Sequence, residues 1–513
     1  MNLFPLGLFF HFGKTAHTSN GLPVVCLNGG IMADTGNEAK EYVFECQDRY
    51  PLYAAMGGMR CLLFTRNGAH ADQYLQRIKE VKHSLAIINR FTECELDVVL
   101  PTPLFVPCSL SKLDNQDSSR YLLTPDKKFA GQFGDSKIMN QHLAGGIYLN
   151  QISPTIYGLL KQLYRFLQDQ GIETKAIIDE YGRMSKVALK WHDKANYVRL
   201  AKEFIHDQWF PAHVPTALIS STMLKEVTWH KLVSFFHEET NSRHIGEYYL
   251  KSGMDAAGEV SVIINEQTFG KRIKELENEI RLKVSLMERS QESVDLLIQA
   301  RINRAGMDNG FPDSVGLTYQ IKGKGDFELL VVIGHVYEDA ECRVFLGSYY
   351  SDLLTQHVLC TIGEKKINRL LSMFADQGYR GPINLDAVYN DRGEYTFIYD
   401  CNPRMGGALP GLLVKSFFQQ KGRCINSFFT LGCQGRMVYP DLEAKLLELS
   451  QKGLLYTRQN QSGLCIIPSL VRFQGFDLVM VNMEMDQILS IIDSDLLHTL
   501  SDRKKSNLKG VYL

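Results

Sequence analysis

GPINLDAVYNDRGEYTFIYDCNPRMGG, residues 381–407, decides how this chain is read. Apolar residues flank the turn-forming quartet Asn390-Asp391-Arg392-Gly393. The pattern predicts a β-hairpin with strands over 382–389 and 395–401. Each strand carries one carboxylate among apolar neighbours, Asp386 and Asp400. Burying a charge without a partner is costly, so a sheet interior rarely holds one. Two on paired strands, with Asn402, Pro403 and Arg404 close behind, point to a divalent cation and a phosphate. Residues two apart in a strand share a face, which aligns Asp400 with Asn402. Asp386 joins them if the strands pair symmetrically about Gly393; a one-residue slip turns it to the other face. Three oxygen donors with open positions suit Mg²⁺, which keeps waters and takes phosphate oxygens. By the same alternation Cys401 turns away from the donors and reads as core.

The length of 513 residues predicts about three domains, each large enough for its own core. Hydrophobic residues make up 45% and charged residues 22%, with a formal net charge of −1. That balance carries no footprint for nucleic acid or an acidic membrane as the main partner. The cluster Arg503-Lys504-Lys505 is too short to change this. The apolar opening MNLFPLGLFFHFGK lacks a basic flank and is interrupted by Pro5 and Gly7, so it does not read as a signal peptide. No stretch approaches the ~18 apolar residues of a membrane span. The eleven cysteines include no C-x-x-C pair, so neither zinc nor a disulfide framework is signalled. A cytoplasmic protein is expected.

The first ~190 residues alternate strand and helix signals, as in a parallel sheet with flanking helices. Strands are expected over 22–27, 59–65, 85–89 and 97–100, and a helix over 70–82. Residues 109–132 are polar and read as an exposed loop. Residues 154–170 are amphipathic, with Ile156, Leu159, Leu160, Leu163, Phe166 and Leu167 at helical spacing. Asn28-Gly29-Gly30 reads as a tight turn, since no G-x-G-x-x-G accompanies it. A second region opens at residues 190–194, continues in a helix over 195–207, and reaches an extended segment at Pro211–Thr216. A hairpin follows: strand 247–251 ending in Lys251, a loop over 253–259, and strand 260–265. Helices are expected over 269–283 and 365–377, and strands over 295–302, 327–335 and 343–347. Beyond the opening hairpin come a helix at 409–420, strands at 464–467 and 478–483, and a helix at 485–500.

The hairpin resembles the metal-binding hairpin of the ATP-grasp superfamily. That pattern is acidic–x–Asn–Pro–Arg after a strand bearing another carboxylate. This chain departs at one position: most members have Glu where Asp400 stands. Other segments are similar. Asp193-Lys194 resembles the Asp-Lys element that opens the ATP-grasp fold, and Lys251 the lysine that precedes the mobile loop. The tail, with Gly463-Leu464-Cys465, and the stretches at 314–319 and 345–348 are similar to pheganomycin-type peptide ligases.

The resemblance implies an α/β architecture in three parts. An N-terminal Rossmann-like pre-ATP-grasp domain spans 1–190. A two-lobed ATP-grasp domain spans 191–430, its mobile small lobe at about 215–300, and a small C-terminal α/β element spans 431–513. It implies Mg²⁺, with Mn²⁺ as the alternative, on Asp386, Asp400 and Asn402. ATP would be held by Lys194, Lys251, the loop glycines Gly253 and Gly258, and Gln299 in the adenine-contacting hinge strand. Arg404 and Lys251 would be catalytic. The implied reaction joins a small-molecule carboxylate to an amine, amino acids or short peptides, through an acylphosphate. Homodimers are common among such ligases. Two alternatives stay open: an ATP-grasp enzyme of another reaction type, such as a phosphotransferase or a ligase with a non-amino-acid acceptor, and a non-catalytic ATP-binding module.

Overall fold

The structure is a computed structural model. It describes residues 10–12, 24–26, 51–56, 59–65, 68–96, 104–112, 121–125, 147–149, 160–161, 164–165, 168–169, 175–243, 246–253, 261–274, 295–302, 311–337, 345–405, 407–433, 439–468 and 476–493. Three sheets organise these residues. The first contains β1 (Phe10–Phe12), β2 (Val24–Cys26), β3 (Arg60–Thr65), β4 (Leu104–Lys112), β5 (Tyr121–Pro125) and β6 (Ile147–Leu149), in the order β1-β6-β2-β3-β4-β5. Its central pairs are parallel, and the edge strands β1 and β5 are antiparallel to their neighbours. The second is antiparallel: β7 (Thr216–Ser220), β8 (Tyr248–Ser252), β9 (Ser261–Ile264) and β10 (Asp295–Ala300), in the order β7-β10-β8-β9.

The third sheet has eight antiparallel strands. They are β11 (Ser314–Gly323), β12 (Asp326–Tyr337), β13 (Phe345–Ser351), β14 (Gly381–Tyr389), β15 (Tyr395–Asn402), β16 (Ser427–Cys433), β17 (Gly463–Pro468) and β18 (Phe476–Val481). Their order is β15-β14-β11-β12-β13-β16-β18-β17, so the C-terminal strands extend the sheet that begins with the hairpin. Each of the two antiparallel sheets lies in its own apolar cluster. Leu250, Leu296, Ile298 and Phe236 belong to the smaller; Leu317, Val332, Leu385 and Phe374 belong to the larger.

Two expectations change. Residues 85–89 are helical, within the helix Gly68–Phe91. Ile78, Val81, Leu85 and Ile88 are buried at spacings of three and four, so the short apolar run was one stripe of a longer helix. Residues 109–132 are not wholly loop, because Cys108–Lys112 of β4 pairs with Tyr121–Pro125 of β5. Ser109 and Ser111 alternate with Cys108 and Leu110, the period-two signal of a strand. Helices Lys175–His192, Trp229–Thr240 and Asp352–Ile362 and strand β16 had no counterpart in the sequence reading. The strand expected over 97–100 and the turn at 28–30 lie outside the described residues.

The hairpin forms as expected, with one irregularity. Asn390 builds the turn: its side-chain oxygen accepts from the amides of Arg392 (2.9 Å) and Glu394 (3.2 Å), while Gly393 takes a φ of 77°. Near the turn, Ala387 pairs with Phe397 and Tyr389 with Tyr395. Beyond it, Leu385 pairs with Cys401 and Asn384 with Asn402. Between these registers β15 advances four residues while β14 advances two. The surplus is a bulge around Tyr399, whose φ of 55° is unusual for a residue with a side chain. An even slip keeps every side chain on its own face.

The bulge is held by an aromatic cluster. Tyr399 packs on Tyr197 (ring centroids 5.2 Å apart) and on His213 (4.6 Å). His213 stacks on Phe210 at 4.9 Å and shares a hydrogen bond of 2.8 Å with the Tyr197 hydroxyl. Its Nδ1 lies 2.8 Å from the Pro211 carbonyl, which places the ring hydrogen there. The segment around it runs along β15, with Val214 N donating to Phe397 O and Phe397 N to Ala212 O, both at 2.9 Å. Packing among these rings depresses the His213 pKa to about 4, against the upward pull of the Pro211 carbonyl. The unfolded chain takes up this proton near the ordinary value of about 6.5, so it holds more protons than the folded chain between the two values.

Stability contributed by neutral His213 is therefore complete above about pH 6.5 and is lost as pH falls toward 4, at most about 3 kcal/mol. Urea midpoints at pH 7 and pH 5 should differ more for the wild type than for His213→Gln. Equal differences would remove His213 from this account.

Candidate active site

Residues from five strands and one helix start meet on one face of the large sheet. Asn384 and Asp386 of β14 share a face, and Asn384 Nδ2 donates to Asp386 Oδ1 at 2.6 Å. Asp400 and Asn402 of β15 share theirs, with Asn402 Nδ2 donating to Asp400 Oδ1 at 3.0 Å. Asn384 lies directly opposite Asn402, which puts all four side chains on the same face. The ligand-bearing half of the hairpin thus pairs about Gly393, as symmetric pairing requires. Thr318 of β11 donates to Asn384 Oδ1 at 2.9 Å and orients the amide.

Lys194 reaches this face from the helix Lys194–Lys202. Asp193 caps that helix, its Oδ1 accepting from Ala195 N at 3.0 Å. The cap sets Lys194 in the first turn, and its Nζ stands 2.9 Å from Asp400 Oδ2 with only 6% of the side chain exposed. Gly253 secures the same corner. Its carbonyl accepts from Lys194 N at 2.8 Å, and a Cβ on Gly253 would fall 2.4 Å from Asp193 Oδ1. Only glycine fits there. Gly258 lies outside the described residues.

The small sheet supplies the other lysine. Lys251 on β8 and Gln299 on β10 lie diagonally on one face, and Lys251 Nζ donates to Gln299 Oε1 at 2.9 Å. Gln299 is buried, and its amide nitrogen donates to Thr216 Oγ1 (3.1 Å) and Ile398 O (2.7 Å). The amide therefore links the small sheet to the bulge of β15 and steadies Lys251. Both of its hydrogens are used within the protein.

The charges act on one another. Burial and then the Asp400 charge push the Asp386 carboxyl well above the usual range, against Asn384, Lys194 and Arg404. Burial also acts to raise Asp400, but Lys194, Lys251 and Arg404 outweigh it and hold that carboxyl low. Arg404 thus lies within electrostatic reach of both carboxylates. Its amide donates to Asn402 O at 2.7 Å, a tight turn directly after β15. Cys401 is buried on the opposite face, its thiol pushed up by burial and then by the two carboxylates, as expected of a core residue.

This donor set fits a hard divalent cation. Asp386, Asp400 and Asn402 offer only oxygen on one face, and a carboxyl driven upward beside a second carboxylate gains from added positive charge. Two participants escaped the sequence reading: Asn384 and Thr318. Asn384 was available by alternation, standing two residues before Asp386. Thr318 lies on another strand, where only the sheet order reveals it.

No family model matches the sequence, and no curated protein does. Among solved structures, biotin carboxylase from Campylobacter jejuni, in a β-γ-ATP complex, aligns at 10% identity and a TM-score of 0.46, over 92% of this chain and 90% of that one. N5-carboxyaminoimidazole synthetase from Staphylococcus aureus, complexed with ADP, aligns at 10% identity and 0.45, over 95% and 99%. Phosphoribosylglycinamide synthetase from Anaerococcus prevotii aligns at 10% and 0.42, over 92% and 97%. These likenesses are distant, and the site stands on its own geometry.

Gln299→Leu removes the acceptor of Lys251 and leaves the Ile398 carbonyl without its donor. A stability loss of about 1–3 kcal/mol is expected from such unsatisfied groups. The urea midpoint measures it; a variant as stable as the wild type would show the amide network to be dispensable.

Proposed function

We propose that this protein is an ATP-dependent carboxylate–amine ligase that forms an acylphosphate and releases ADP and phosphate. The observation that carries the reading is a convergence: two carboxylates and an amide oxygen on one face, met by Lys194, Lys251 and Arg404. Anionic oxygen donors beside three cations suit a metal-bound polyphosphate better than either charge alone. The resemblance of residues 381–407 to ATP-grasp hairpins supports the same assignment.

Asp386, Asp400 and Asn402 would hold Mg²⁺, with Mn²⁺ as the alternative. When bound, the ion supplies charge neutralisation to the transferring phosphoryl group. Lys251, steadied by Gln299, offsets phosphate charge from the small-sheet side. Lys194, fixed by its capped helix, does so from beside Asp400. Arg404 stabilises the oxyanion as the amine attacks the acylphosphate carbon; the C–N bond forms as the C–O bond to phosphate breaks. Gln299 acts as the brace of Lys251. Gly253 allows the close approach of β8 to the Asp193 cap, and Gly258 is assigned a backbone contact to the phosphates. No nucleophilic side chain is required. Amino acids or short peptides are the proposed carboxylate and amine substrates, and a homodimer the proposed assembly.

Asp400→Asn and Arg404→Ala should each abolish ATP-dependent phosphate release from pooled amino acids while circular dichroism shows a folded protein. Full activity in either variant would sink the site assignment. Lys251→Ala should chiefly weaken binding of a fluorescent ATP analogue, and unchanged affinity would remove that lysine from the site.

A further inference from the structure

Each carboxylate of the hairpin is bonded by an amide two residues away on its own strand. Asn384 Nδ2 donates to Asp386 Oδ1 at 2.6 Å, and Asn402 Nδ2 donates to Asp400 Oδ1 at 3.0 Å. The two asparagines face one another across β14 and β15. What separates them is Thr318, which lies opposite Asn384 on β11. Its hydroxyl donates to Asn384 Oδ1 at 2.9 Å. Asn402 Oδ1 receives no such bond among the described residues. Thr318 and Asn384 are both buried, so this end of the polar row is packed inside the protein. Gly316, opposite Asp386, makes room for the bonded pair. A Cβ built on it would fall 2.8 Å from Asn384 Oδ1 and 3.1 Å from Asp386 Oδ1, and His335 Nε2 lies 3.1 Å from the same point. The space over Gly316 is therefore filled by the amide, the carboxylate and the ring, and a side chain at 316 would push the amide aside.

We propose that Asn384 is a positioning residue of Asp386, held in that role by Thr318 over Gly316, and is not itself a metal ligand. The inference rests on the metal site of the ligase reading above. Asp386 as a metal ligand is ionised and only accepts hydrogen bonds, so the amide nitrogen faces it and the amide oxygen faces Thr318. Both ends of Asn384 are then committed within the protein, whereas Asn402 keeps its oxygen for the ion. A donor fixed on Oδ1 stops the Asp386 carboxylate from turning and presents its other oxygen in one direction, as groups behind a metal ligand do. The two asparagines are the same in chemistry and in distance from their carboxylates along the chain. One hydroxyl on β11 makes the first a brace and leaves the second a ligand.

Thr318→Val keeps the shape of the side chain and removes the donor. Mn²⁺ binding is read by electron paramagnetic resonance, alone and with an unreactive ATP analogue, and the urea midpoint is measured beside it. Losing a group that orients a metal ligand corresponds to about a 10- to 100-fold fall in metal affinity. That fall is expected in Thr318→Val and Asn384→Leu, and Gly316→Ala should weaken Mn²⁺ binding too. Thr318→Ser restores the donor but loses a buried methyl, so it should lower the urea midpoint and keep most of the Mn²⁺ affinity. Affinity that follows the urea midpoint across the variants makes Thr318 merely structural and overturns the proposal. Unchanged or tighter binding in Thr318→Val also overturns it, and tighter binding would make the released Asn384 oxygen a ligand. Wild-type protein that binds no Mn²⁺ in either condition overturns the metal site and the brace together. Wild-type protein that binds Mn²⁺ but releases no phosphate from ATP with pooled amino acids overturns the ligase reading alone, and the Mn²⁺ titrations still decide the brace.

Discussion

The site depends on a backbone irregularity more than on any one side chain. At the bulge of β15, Tyr399 adopts a left-handed conformation that costs a residue with a side chain about 1–2 kcal/mol. Such a conformation persists only when its surroundings over-determine it. Here Tyr197 and His213 pack on the ring, and the flanking Ile398 carbonyl accepts from Gln299. The bulge shifts the register so that Asn384 meets Asn402 and the two carboxylates approach one another. Aromatic packing below the hairpin therefore sets the electrostatics above it.

That arrangement explains why the cations come from separate parts of the chain. Two carboxylates brought together in a partly dry environment repel, and burial adds to the cost of ionising either. Asp400 stays low because Lys194 is 2.9 Å away and Lys251 and Arg404 add to its field. Asp386, which has less compensation, is driven up. The pair is thus asymmetric, one carboxylate ionised through its lysine and the other sensitive to added positive charge.

Gln299 shows how one buried amide serves several ends. Its oxygen accepts from Lys251, and its nitrogen joins Thr216 of the small sheet to Ile398 of the large one. The lysine is therefore oriented by the same group that links the two sheets. A movement of the small sheet would carry Lys251 with it, because β8 and β10 are hydrogen-bonded neighbours.

Much of the site could be read in advance. Local chemistry determines a hairpin: Asn390 and Gly393 make the turn, and alternation puts Asp400 with Asn402 and turns Cys401 inward. Lys251 at the end of a strand is equally local. The misread elements were those where local signals compete. Residues 85–89 carry a strand-like apolar run inside a long helical stripe, and residues 109–112 hide the end of β4 among serines. Sequence alone left the face of Asp386 undecided, since that turns on whether the strands pair in odd or even register, and it left the closeness of Asp386 to Asp400 undecided, since that turns on a bulge packed by Tyr197 and His213, far away in sequence. Nor did it reveal that Asn384, Asp386 and His335 crowd together over Gly316, because they become neighbours only through the strand order β14-β11-β12. Spacing along the chain determines which way a side chain faces; the order and register of strands, set by packing between distant segments, decide what it faces.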